Sequence, residues 1–270
     1  MRDIRPLVSI GLPVLSLASC MAVAIVRPSL YQPLVVAHET GLVEHATVIC
    51  LLPAILLGVS ILRRRHELPS RGLAIWAALL TVGALYFAGE ECSWGQNYFH
   101  WSTPVGWSTI NDQHETNLHN INGLFDNLPR AILTVAAGVC TVAPIGLVRR
   151  RQQWDPRTSR LSWYLPTTAV APAAALACLT GIPQKIHAAY GLSAGVPTWF
   201  SEMFLNGRHG ELKEYFIAMF ILMYLWSFAT RLSSMNEMGD VAGNSQSPSY
   251  AISLLERHIK PSAPAHRDAA

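Results

Sequence analysis

Residues 72–96 read GLAIWAALLTVGALYFAGEECSWGQ. The stretch from Gly72 to Gly89 carries no charge. As a helix it would extend roughly 27 Å, close to the thickness of a bilayer's hydrocarbon core. The apolar run then stops at two adjacent carboxylates, Glu90 and Glu91. A second polar stretch follows at 111–120, NDQHETNLHN, and no Lys or Arg occurs between Arg71 and Arg130. Carboxylates and imidazoles gathered at the end of a membrane helix, in a segment without a cation of its own, point to a bound metal or to proton chemistry.

Working outward, the same pattern of apolar blocks recurs. Of the 270 residues, 51% are hydrophobic and only 14% charged, and mean hydropathy is +0.27. A soluble domain carries about a quarter charged residues. Six spans are expected, over 7–26, 43–62, 72–89, 130–148, 163–182 and 214–231, making residues 1–233 an all-α polytopic transmembrane bundle. With the N-terminus inside, 15 of the 20 basic residues fall on one side, including Arg63-Arg64-Arg65 and Arg149-Arg150-Arg151. Basic loops stay cytoplasmic, so the expected location is an inner membrane with both termini in the cytoplasm. These Arg-rich loops fit topology and anionic lipid contact, and no nucleic-acid partner is expected. Leu17-Ala18-Ser19-Cys20 is similar to a lipoprotein processing site, but the apolar run continues to Val26 and reads as an uncleaved first span. The five cysteines are scattered, four of them within apolar runs, which excludes a disulfide framework or a zinc-finger spacing. Residues 234–270 are rich in Ser, Pro and Gly and read as a disordered cytoplasmic tail.

This topology sends three separate segments to the outer face. Residues 27–44, 90–129 and 183–214 hold ten of the 17 acidic residues, and with His45 they hold seven of the ten histidines. Within 89–129, Pro104 and Gly106 break the third helix after about Tyr98. A short interfacial helix is expected through 111–120, placing Asp112, Glu115 and His119 on one face at i, i+3 and i+7. Glu91, Glu115 and His119 are the candidate metal ligands, with Glu44 or Glu214 completing the set. Carboxylates with an imidazole suit zinc, iron or manganese. Glu90 and Asp112 are the candidate catalytic acids or bases. Adjacent helical residues point about 100° apart, so only one of Glu90 and Glu91 can aim squarely into a central site. Each of these groups also has a plain structural reading: Glu39, Glu211 and Glu214 at helix starts complement the macrodipole, and a helix end can simply be solvated.

The pattern G-E-E-x-S-W-G-Q (89–96), the element Trp101-Ser102-Thr103-Pro104 and E-T-N-L-H-N (115–120) together resemble a family of uncharacterised polytopic bacterial membrane proteins. The resemblance implies a bacterial membrane protein and supplies no reaction. A more distant comparison is with alkaline-ceramidase-like membrane hydrolases. This chain departs from them in having six expected spans, no H-x-x-x-H and more carboxylates than imidazoles. The expected function is a metal-dependent membrane enzyme, a hydrolase before an oxygenase, acting on a lipid or lipid-linked substrate at the outer face. The alternatives are a transporter or proton-coupled channel using the same carboxylates, or an accessory membrane subunit of a biosynthetic or secretion system.

Overall fold

The computed structural model describes residues 3–37, 41–111, 115–118, 121–149, 161–191, 195–206 and 209–245. Among these every regular element is helical. The α-helices are α1 (Pro6–Val26), α2 (Pro28–Leu30), α3 (Leu42–Arg63), α4 (Arg71–Glu91), α5 (Gln96–Phe99) and α6 (Val105–Ser108). They continue with α7 (Gly123–Arg149), α8 (Leu161–Tyr164), α9 (Ala171–Leu179), α10 (Ile182–Tyr190), α11 (Thr198–Phe204) and α12 (His209–Ser245). Proline opens α1 and Ser70 caps α4 by accepting from the Leu73 amide, both ordinary helix starts.

Among the described residues, four helices are long and apolar enough to cross a membrane: α1, α3, α4 and the Gly210–Met235 part of α12. They coincide with the expected spans 7–26, 43–62, 72–89 and 214–231. The expected fourth span, 130–148, lies within the longer α7, which contains Pro129 and Pro144. The expected span 163–182 is not one helix. It divides into α8, a connection at 165–170 and α9, and ends as α10 begins. Pro166 sits at the break, where it offers no amide hydrogen and turns the preceding residue away from helical geometry, whereas Pro13, Pro53, Pro129 and Pro144 are carried inside continuous helices. Backbone freed at such depth needs partners within the protein. The Tyr224 hydroxyl donates to the Tyr164 carbonyl, and Arg231 Nη1 donates to the Leu165 carbonyl at 3.4 Å. The Arg231 guanidinium lies over the rings of Trp163 and Phe228 at 5.6 and 5.7 Å, and Nε reaches the Ser227 carbonyl. Residues 234–245, expected to be disordered, prolong α12 instead, and residues 246–270 lie outside the described residues.

The hub of the bundle is α12. It packs on α3, α9 and α7, while α4 packs on α3. Its spanning portion is 78% buried within the protein, against 17–33% for the other three spans. Small residues allow α3 and α4 to approach closely. A Cβ on Gly58 of α3 would sit 2.1 Å from Thr81 Oγ1 of α4, so only glycine admits this approach. α3, α7 and α12 begin, and α4 ends, at one end of the bundle, where Glu44, Arg130 and Glu214 gather around Glu91.

The short helix expected over 111–120 does not form where that stretch is described: Asn111 and 115–118 are irregular. Side chains have captured the backbone there. Asn111 Oδ1 accepts from the Glu115 amide, and Asn111 Nδ2 donates to the Asn117 carbonyl. The short helices of this loop are α5 and α6.

Candidate functional site

At the end of α4 the chain makes a sharp hook. Ser93, Trp94 and Gly95 have φ values of 46°, 55° and 103°, a left-handed run that costs the first two residues strain. The hook folds the Trp94 ring back onto α4 over Gly89, where a Cβ would lie 2.9 Å from the indole. Trp94 Nε1 then donates to Glu90 Oε1 at 2.8 Å. The other Glu90 oxygen accepts the Leu118 amide at 2.7 Å, tying the 115–118 segment to the helix end.

The rest of the two sequence motifs interlocks around this hook. The Ser93 hydroxyl donates to Glu115 Oε2 at 2.7 Å, and Asn117 Nδ2 donates to the same oxygen. Gln96 Oε1 accepts from both the amide and hydroxyl of Thr116, while its Nε2 donates to Thr103 Oγ1. Glu115, Asn111, Asn117 and Ser93 are all buried. Burial makes each of these bonds matter, because a group left over would carry its full desolvation cost. Beside the plug, Asn97 donates to the buried Glu44 at 3.4 Å, and His45 Nδ1 lies 3.2 Å from the Tyr98 hydroxyl. Burial pushes the Tyr98 phenol up from its ordinary value, with Cys92 and Glu44 adding to the effect. Burial also pushes the Cys92 thiol up. Its Sγ donates to the Gly89 carbonyl, an arrangement that disfavours a thiolate ligand.

Glu91 turns the other way, toward α12. One oxygen from each of Glu91, Glu211 and Glu214 lies within 4.8 Å of the other two. The carboxylates of Glu91 and Glu214 are buried and that of Glu211 is partly exposed; Glu91 as a whole residue keeps some exposure. Glu211 and Glu214, at i and i+3, share a face of α12. Arg130 of α7 forms an ion pair with Glu214, and Glu44 and Arg130 are within electrostatic reach of Glu91. The cation absent from 72–129 is thus supplied by the first basic residue beyond it. Lys213 turns aside, its stem against Gly181.

A groove of about 350 Å³ leads from this cluster along the bundle. Leu79, Gly83 and Phe87 of α4 form one wall and Leu128, Ile132 and Leu133 of α7 the other, with Ile217 and Ile221 of α12 between them. Glu90, Glu91, Arg130 and Glu214 line its polar end.

The expected ligand set is therefore redistributed. Glu91 and Glu214 come together, joined by Glu211, whose i, i+3 spacing to Glu214 was the readable signal. Glu115 belongs to the buried plug with Ser93 and Asn117, and Glu44 stands nearby with Asn97. Glu90 is held by two donors at the hook. Asp112 and His119 lie outside the described residues. No protein-family model, curated protein or solved structure matches the chain.

Proposed function

We propose that this chain is an integral-membrane, divalent-cation-dependent enzyme acting on a membrane-borne substrate, with hydrolysis the favoured reaction. The observation that carries the reading is the meeting of Glu91, from the end of α4, with Glu211 and Glu214, from the start of α12. Fully ionised, Glu91, Glu211 and Glu214 would carry three negative charges against the one positive charge of Arg130, a deficit that one divalent cation would balance. An all-oxygen donor set suits a hard ion, which among zinc, iron and manganese favours manganese and disfavours zinc.

A cation held there would supply a water of lowered pKa for attack on an ester or phosphoester. Arg130 would stabilise negative charge developing on the substrate beside it. Glu90, fixed by Trp94 and Leu118, keeps the hook closed so that Glu91 faces α12. The basic-residue bias supports a bacterial inner membrane with cytoplasmic termini, which would put the cluster at the outer face.

Transport ranks second. Its specific support is the discontinuous segment at Pro166, a feature of transporter binding sites. However, Arg231, which closes that break, stands seventeen residues beyond Glu214 on α12, so the two features are roughly 25 Å apart.

Metal analysis of purified protein tests the enzyme reading. The wild type should carry one divalent ion per chain, and Glu91→Gln and Glu211→Gln should each lose it. Negligible metal in the wild type after purification with added manganese would remove the proposed chemistry.

A further inference from the structure

We infer that the groove between α4 and α7 seats one acyl chain of a phospholipid drawn from the leaflet at the acidic end, with the lipid phosphate at Arg130. The length fits first. Leu79 to Glu91 covers twelve helical rises, roughly 18 Å, close to the half-thickness of a hydrocarbon core of about 30 Å. A lipid with its headgroup level with Glu91 would therefore end its chain near Leu79, where the groove ends. The volume fits one chain, lying at the small end of the roughly 300–1,000 Å³ typical of ligand sites.

Access fits as well. Leu79, Gly83, Leu128 and Ile132 line the groove and are exposed, on spans whose outward faces are apolar. The groove thus opens sideways into lipid, and a chain can enter from the bilayer without passing through water. At the polar end, Arg130 offers a planar guanidinium, the group best matched to a phosphate's oxygens. The headgroup half of this inference rests on the cation proposed above, since unbalanced carboxylates would repel a phosphate. The chain half does not.

Gly83 provides the test. A Cβ there meets nothing within 4 Å, so Gly83→Trp fills the groove without disturbing the helix core. Val135, exposed on α7 and not part of the groove lining, gives Val135→Trp as the control. Protein in phosphatidylcholine nanodiscs would be photolabelled with phosphatidylglycerol bearing a photoactivatable acyl chain, and separately with the matching diacylglycerol. Labelled peptides would be mapped by mass spectrometry and metal content measured on the same samples. The expected result is phospholipid labelling concentrated on 79–87 and 128–133, lost in Gly83→Trp, retained in Val135→Trp and weaker for diacylglycerol. Labelling spread evenly over lipid-facing helices, or unchanged by Gly83→Trp, would overturn the chain seat. Equal labelling by diacylglycerol would overturn the phosphate contact. Groove labelling by phospholipid in a protein without bound metal would sink the cation reading and leave the chain seat standing, so the two failures are distinct.

Discussion

Trp94 joins the end of α4 to the loop that follows through one indole nitrogen. Replacing it with Phe keeps the ring over Gly89 and removes the donor to Glu90. A hydrogen bond to a charged group contributes about 1.5–3 kcal/mol, so Trp94→Phe should lower the thermal midpoint in detergent while leaving the fold intact. Glu115→Ala should be at least as damaging, because Ser93 and Asn117 both lose a buried acceptor; about 1–3 kcal/mol for each stranded group is expected, read by the same melt. The sequence identified these residues as the chemically rich ones but not their partners. Glu90 bonds Trp94 and Leu118 while Glu91 meets Glu211 and Glu214, yet both line the polar end of the groove. Which of them turns inward depends on the left-handed Ser93–Trp94 hook, which neither hydropathy nor propensity encodes. Glu211 was legible as a helix-start acid one turn before Glu214, but nothing in the chain's spacing brings Glu91 to it.

At the level of elements, the helices at 6–26, 42–63 and 71–91 follow directly from unbroken apolar runs. The break within 163–182 falls at Pro166-Thr167-Thr168, shortly before Pro172, and averaged hydropathy does not register such local breakers. Tyr224 substitutes for the missing helical bond there while accepting from Trp76 Nε1 at 2.9 Å. Tyr224→Phe should therefore cost about 1–3 kcal/mol and increase hydrogen exchange around 164–170. The α3–α4 contact gives a second test. Gly58→Leu forces a side chain into the space held by Thr81 and should destabilise the pair by at least about 1–3 kcal/mol, seen as a lower melting midpoint and poorer yield.

For the molecule as a whole, the distribution of basic residues makes a prediction that hydropathy alone does not. Substitution by cysteine at His66, in the turn between α3 and α4, and at Val105, in the loop after α4, samples opposite ends of the bundle in a background lacking the native cysteines. In intact bacterial cells stripped of their outer membrane, an impermeant maleimide should label the Val105→Cys protein, and the His66→Cys protein only after permeabilisation. The reverse pattern would place the acidic cluster on the cytoplasmic side.

The helix most enclosed by its neighbours is also the least apolar of the four long spans, with a hydropathy of 1.5 against 1.8–2.2, and it comes latest of them in the chain. During synthesis, then, α3, α7 and α9 must wait in the bilayer with the faces that meet α12 uncovered until a segment poorly suited to lipid arrives and is accepted among them. A ribosome stalled before His209 would leave an assembly without its keystone, which the cell's membrane proteases should clear quickly.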